Sequence, residues 1–122
     1  MKQGLNMGEW SNKRSWANSQ FLADARLGIA LPCFTLAWEA MSPEEQAAVL
    51  AQWETIRGRI PDRVIGFEEE IRRLQDGLFE EENFERSCRL NSEIAELASR
   101  INDLNIWYRT EQDFDDEARR HS

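Results

Sequence analysis

Few side chains in this sequence have the types and spacing that catalysis or metal binding requires. The cysteines Cys33 and Cys88 form no Cys-x-x-Cys pair, and the single histidine is His121. A nucleophilic cysteine needs a base within reach, and the di-metal sites of helical bundles need Glu-x-x-His pairs. We therefore expect no catalytic residue, no metal site, no cofactor and no small-molecule substrate, so the protein is not expected to be an enzyme. Cys33 lies in an apolar stretch, where a buried and inert thiol is expected.

Carboxylates are the remaining candidates for chemistry, and they cluster at 68–70, 80–82 and 113–117. The last cluster lacks the glycine and the closing bidentate glutamate of a calcium loop. Two interpretations remain open. The clusters can be solvated helix faces, or an acidic face made of Glu80, Glu81, Glu82 and Glu85 can imitate the phosphates of a nucleic acid.

The composition predicts a globular, water-soluble domain. The 122 residues are 41% hydrophobic and 31% charged, and the formal net charge is -8. Such a charge argues against indiscriminate binding to DNA or to an anionic membrane, so we expect no direct contact with either. The longest apolar stretch, 27–38, is interrupted by Pro32 and is shorter than the roughly 20 residues of a membrane span. No targeting signal is visible, and we expect a cytoplasmic protein.

The sequence predicts helices, since six glycines and three prolines are too few for a turn-rich all-β fold. Residues 1–14 are expected to form a flexible arm, and 15–59 a subdomain of two or three short helices. Ser42, Pro43 and Glu45 have the pattern of a capping box that starts a helix. Trp38 and Trp53 are expected in the core. The first two helices of this subdomain are predicted from two apolar patterns: Phe21, Leu22, Ala25 and Ile29, then Phe34, Ala37, Trp38 and Met41.

The second half repeats apolar residues at alternating spacings of four and three, as the core seam of a coiled coil does. One seam is Ile60, Val64, Phe67, Ile71, Leu74 and Leu78, and the other is Leu90, Ile94, Leu97, Ile101, Leu104 and Tyr108. Folding the chain back near residue 84 aligns the two seams, and Asn83 can cap the second helix. The sequence therefore predicts an all-α protein with short N-terminal helices packed on a long antiparallel coiled-coil hairpin. The hairpin covers 60–110, and the acidic tail 111–122 is expected to fray.

The segment 81–97, Glu-Glu-Asn-Phe-Glu-Arg-Ser-Cys-Arg-Leu-Asn-Ser-Glu-Ile-Ala-Glu-Leu, resembles the UVR motif. That motif occurs in the B and C subunits of the bacterial excision-repair nuclease and in some Clp-family ATPases and their adaptors. The resemblance covers about 67–101. The motif's small pair becomes Ser87-Cys88, and its Arg-Asp pair becomes Asn91-Ser92, which puts any contact of that charged pair in doubt. The positions in register are Phe84, Glu85, Leu90, Ile94 and Leu97, with Ile71 and Leu74 in the first helix.

The resemblance implies a helix–loop–helix that docks on a second copy of itself or on a related hairpin. We expect a non-catalytic adaptor or regulator whose partner is a protein, with a homodimer as one possibility. The alternative is a small acidic inhibitor, for example phage-encoded, that occupies the nucleic-acid-binding groove of a target enzyme. The expected partner-binding residues surround the turn: Phe79, Phe84, Cys88 and Leu90.

Overall fold

The computed structural model of the protein describes residues 7–110, with side chains from residue 12 onward. In chain order the elements are helix α1 Met7–Asn18, strands β1 Phe21–Asp24 and β2 Ile29–Pro32, a 3-10 turn Trp38–Ala40, and helices α2 Pro43–Arg57, α3 Ile60–Glu80 and α4 Phe84–Tyr108. Helix α1 includes residues 7–14, where the sequence suggested a flexible arm. The predicted acidic tail, 111–122, lies outside the described residues.

The protein is mostly helical, but the all-α expectation was incomplete because β1 and β2 form a two-stranded antiparallel sheet. Phe21 pairs with Pro32, and Asp24 pairs with Ile29. The turn between the strands is set by Gly28, whose φ of 75° favours glycine. The Asp24 carboxylate also accepts a hydrogen bond from the Leu27 N–H at 2.9 Å. Phe21 and Ile29, two residues of the predicted helical pattern, are both buried. They lie on the same side of the molecule because the turn brings β2 back beside β1, not because they share one helix face.

The second short helix predicted around 34–41 is reduced to the 3-10 turn. Gln20, which is 1% exposed, holds the preceding segment in place. Its side-chain oxygen accepts the Thr35 N–H at 2.8 Å, and its amide donates to the Thr35 hydroxyl at 3.0 Å. Its backbone oxygen accepts the Cys33 N–H at 2.8 Å. These bonds direct the Cys33 side chain outward, so the expected burial of this thiol was wrong and Cys33 is exposed.

Helix α2 begins as the sequence predicts. The Ser42 side chain accepts the Glu45 N–H at 3.1 Å, and the Glu45 carboxylate accepts the Ser42 N–H at 2.8 Å. Pro43 occupies the first turn, where its missing N–H removes no helical hydrogen bond. The helix ends at Arg57, and α3 starts three residues later with Pro61 in its first turn.

The core is centred on Trp53 of α2, which is completely buried. Its ring stacks on Phe21 of β1 with centroids 6.1 Å apart, and it meets Trp107 of α4 edge to face at 5.9 Å. Trp38 is buried as well, so both core tryptophan predictions are confirmed. One indole thus links α2, the small sheet and the end of α4 into a single core.

Helices α3 and α4 are 21 and 25 residues long, joined by residues 81–83, and they pack against each other. The residues of the two predicted seams are buried or half-buried from Ile60 to Leu78 and from Leu90 to Leu104. Tyr108 is 37% exposed. The apolar spacing in the second half of the sequence thus matches the pattern of burial.

Candidate protein–protein interface

The candidate interface lies where α3 ends and α4 begins, a region we call the turn end (residues 79–90). Helix α3 stops at Glu80, and Glu81 takes an extended conformation. Asn83 caps α4, since its side-chain oxygen accepts the Arg86 N–H at 3.0 Å, as the sequence predicts. The Asn83 N–H in turn donates to the Glu81 carboxylate at 3.2 Å. These local bonds satisfy backbone groups that a short connection would otherwise leave unpaired.

Two large aromatic side chains are almost fully exposed at this end. Phe79 is 92% exposed and Phe84 is 80% exposed. Cys88 is exposed too, one helical turn beyond Phe84. Leu90 is half-buried, because it belongs to the seam of α4. The structure therefore places three of the four predicted partner-binding residues at the surface, while Leu90 serves mainly the packing between the helices.

The predicted acidic face surrounds the two phenylalanines. Glu80, Glu82 and Glu85 are exposed, whereas Glu81 is half-buried and bonded to Asn83. Exposed carboxylates of this kind are solvated and screened by salt, so each contributes little to stability. They are available to orient a charged partner.

The middle of α4 is fixed to the N-terminal half by Arg26, in the turn between β1 and β2. Its guanidinium donates to Glu96 at 2.8 Å, to Ser99 at 2.9 Å and to Asp103 at 2.6 Å. The hydrogen bond from Arg26, with a further one from Arg100, lowers the pKa of the Glu96 carboxyl below its usual value. The bonds to Asp103 and then Glu96 raise the pKa of Arg26. This cluster was not predicted from the sequence, because Glu96 and Asp103 lie 70 and 77 positions from Arg26.

A second cluster holds the same turn against α3. Arg63 donates to the Leu27 backbone oxygen at 3.2 Å, and its guanidinium lies 4.8 Å from the centroid of the Phe67 ring. A Cβ atom on Gly28 would come within 2.3 Å of that guanidinium. Glycine at this position therefore allows both the turn and the approach of Arg63.

Two shallow grooves run between α3 and α4. One, of about 360 Å³, is lined by charged and apolar residues that include Glu70, Leu74 and Arg100. The other, of about 340 Å³, is mainly apolar and lies near the start of α3. We call it the base groove. Its lining residues are Ile60, Pro61, Val64, Ile65, Asn105 and Tyr108.

The base groove was not predicted from the sequence. The available signal was the apolar pair Pro61 and Ile65, which lies beside the seam rather than in it. Ile65 is 52% exposed, so it fills no core position.

Residues 7–110 contain no group of three or more His, Cys, Asp or Glu side chains placed to hold a metal ion. No helix in this range is long and apolar enough to cross a bilayer.

Comparison with protein-family models, with curated proteins and with solved structures gave no match for this chain.

Proposed function

We propose that the protein is a non-catalytic interaction module, an adaptor or regulator, that docks on a protein partner through the turn end. In this proposal α3 and α4 act as an antiparallel coiled-coil hairpin of the UVR-like kind. Phe79 and Phe84 are the anchors, with Cys88 and Leu90 beside them. The observation that carries the proposal is the exposure of both phenylalanines, at 92% and 80%, on two well-packed helices.

The free energy available from these rings is large enough for specific binding. Burying one phenylalanine side chain is worth about 1.5–3 kcal/mol, and about 1.4 kcal/mol changes a dissociation constant tenfold. Among the described residues Phe79 belongs to no buried core cluster, so core packing there does not account for its aromatic ring. Large aromatic side chains are also the residues most often found at binding hot spots.

The position of the turn end supports the same proposal. Arg26 attaches the N-terminal half to α4 at Glu96, Ser99 and Asp103. Glu96 lies twelve residues after Phe84, which corresponds to about 18 Å of helix. The phenylalanines are thus held away from the N-terminal half, where a partner can approach them. Proteins that carry hairpins of the same kind, such as repair-nuclease subunits and Clp-type ATPases, are the first candidate partners.

The competing function is an acidic inhibitor that presents Glu80, Glu82 and Glu85 to a basic nucleic-acid groove. The two functions respond differently to salt and to substitution. Binding through buried phenylalanines depends little on ionic strength. Binding through solvated carboxylates weakens steeply as salt rises.

The test is a titration of the full chain with purified UVR-motif hairpins, measured by fluorescence anisotropy at two salt concentrations. The proposal predicts that Phe84→Ala weakens binding by at least tenfold, and that raising the salt has a smaller effect. Replacing the three glutamates 80–82 by glutamine serves as the matched control and should change the affinity only modestly. The opposite pattern, with Phe84→Ala tolerated and the glutamine variant inactive, would replace the docking module with the acidic inhibitor.

A further inference from the structure

One long face of α3 and α4 is unoccupied by the rest of the described chain. The N-terminal half packs on the other side, where Arg26 meets Glu96 and Trp53 meets Trp107. We call the unoccupied side the open face. On α3 its residues recur at spacings of four and three, and all are exposed: Pro61, Ile65, Glu68, Arg72, Gln75 and Phe79.

Helix α4 contributes a matching row that begins at Phe84 and continues through Cys88. The remainder of this row consists of small or uncharged side chains, all exposed: Asn91, Ala95, Ala98, Asn102 and Asn105. Asn105 lines the base groove together with Pro61 and Ile65. The two rows therefore belong to the same side of the molecule.

The open face differs in charge from the rest of the molecule. In a chain of net charge -8, the charged residues of this face are Glu68 and Arg72, which cancel. Apolar features lie at both of its ends, with the base groove at one end and the exposed Phe79 and Phe84 at the other. Depletion of charge with aromatic anchors is the composition typical of the centre of an interface.

We infer that the open face binds a second copy of this chain, with the two copies running in opposite directions about a two-fold axis. In that arrangement the turn end of each copy covers the base groove of the other. The contact is isologous, which means that the same surface of both copies is used. The contact between turn end and base groove is therefore made twice, once at each end of the interface. The product is a four-helix arrangement at the interface, built from α3 and α4 of each copy.

Charge complementarity supports a second copy as the occupant. If the axis crosses the interface at the level of Ala98 of α4 and Glu70 of α3, Glu68 of each copy lies opposite Arg72 of the other. The same register places Phe79 against Pro61 of the second copy. On α4 it places Asn91 opposite Asn105, and Ala98 opposite Ala98. The small Ala98 side chain permits close approach of the two helices at the axis.

The size of the open face is sufficient for a stable dimer. It extends over about 20 residues, or about 30 Å, and spans two helices of about 10 Å each. The resulting footprint is about 600 Å² per copy, so two copies give about 1,200 Å². Stable protein interfaces bury roughly 1,200–2,000 Å² in total. The inference rests on the proposed function, since it uses the turn end as one half of the contact.

The first test measures the solution mass of the full chain by light scattering across a range of concentrations. Ala98→Glu places two like charges at the axis, and because Ala98 is exposed the single chain tolerates the change. We expect a dimer for the wild type and at least a tenfold higher dissociation constant for Ala98→Glu. The matched control is Ser92→Glu, an exposed position on the side of the other groove, which should remain dimeric.

The second test determines the register by cross-linking. In a background with Cys33→Ser and Cys88→Ser, Ala98→Cys should join two chains with a short bis-maleimide. Asn91→Cys should not, because Asn91 of the second copy is about 21 Å away along the helix in this register. Efficient joining through Asn91→Cys with none through Ala98→Cys would overturn the proposed register.

The outcomes separate this inference from the proposed function. A wild type that stays monomeric, or a dimer that ignores Ala98→Glu, overturns the inference. Docking of a foreign protein at the turn end would be untouched by either result. A dimer lost in Ala98→Glu but kept in Phe79→Ser with Phe84→Ser would overturn the part of the inference in which the turn end of each copy covers the base groove of the other.

Discussion

At the scale of single residues, the side chains that hold the fold together differ from those that we propose to contact a partner. Trp53 and Gln20 are buried and fully surrounded, whereas Phe79 and Phe84 are not. Arg26 is the residue on which the relation between the N-terminal half and α4 depends, because its guanidinium satisfies Glu96, Ser99 and Asp103. Its partners lie 70 or more positions away in sequence, so no local pattern could have predicted the contact.

The Glu96 carboxylate should make stability depend on pH. Its pKa is lowered in the folded protein, first by the hydrogen bond from Arg26 and then by that from Arg100. A lowered pKa means that its contribution is present above the ordinary glutamate value of about 4.3 and is lost as the pH falls through the lower, folded value. Between pH 5 and pH 3 we expect the free energy of unfolding of the wild type to fall more than that of the Glu96→Gln variant. Urea unfolding of both proteins at each pH would measure the difference.

Glu93→Gln is the matched control for that measurement, since Glu93 is a neighbouring exposed glutamate on the same helix. It should retain the acid sensitivity of the wild type. If Glu96→Gln and the wild type lost stability in parallel over this pH range, the bond from Arg26 would have no energetic role.

At the scale of elements, the features predicted best from the sequence are those decided by residues close together in the chain. The start of α2 at Ser42 and the cap of α4 at Asn83 are where the residue types place them. The apolar spacings within α3 and α4 also match the observed burial. The strands β1 and β2 were missed because their residues have helical spacing, and the deciding interactions come from Gly28, Asp24 and the buried Gln20.

The capping box offers a test at this scale. Ser42→Ala removes the acceptor for the Glu45 N–H, so we expect a loss of about 0.5–2 kcal/mol in the free energy of unfolding. Helix α2 carries Trp53 into the core, and its loosening should affect the whole molecule. Thermal unfolding followed by circular dichroism would measure the loss.

Ser42→Asp is the control, because aspartate also accepts a hydrogen bond from the helix start and should retain most of the stability. Equal losses in the alanine and aspartate variants would show that the side-chain acceptor is not what stabilises this end of α2.

At the scale of the whole molecule, a compact N-terminal half anchors two long helices that carry an exposed apolar end. The formal charge of -8 falls entirely in residues 60–122, yet the open face of α3 and α4 is almost free of charge. The sequence predicted the phenylalanines and carboxylates at the turn end from their types and from the resemblance to the UVR motif. It could not predict the base groove, because that surface forms only when Ile65 of α3 and Asn105 of α4 come together.

We propose that the turn-end phenylalanines supply binding energy for a protein complex. The most direct measurement is the self-association constant, by sedimentation velocity, of the wild type and of Phe79→Ser with Phe84→Ser. Both side chains are exposed, so the variant should fold and unfold like the wild type. We predict a wild-type dimer, and at least a hundredfold weaker association in the variant, since each of the two copies loses two rings and burying one ring is worth about 1.5 kcal/mol or more. Association of equal strength in the two proteins would contradict the claim.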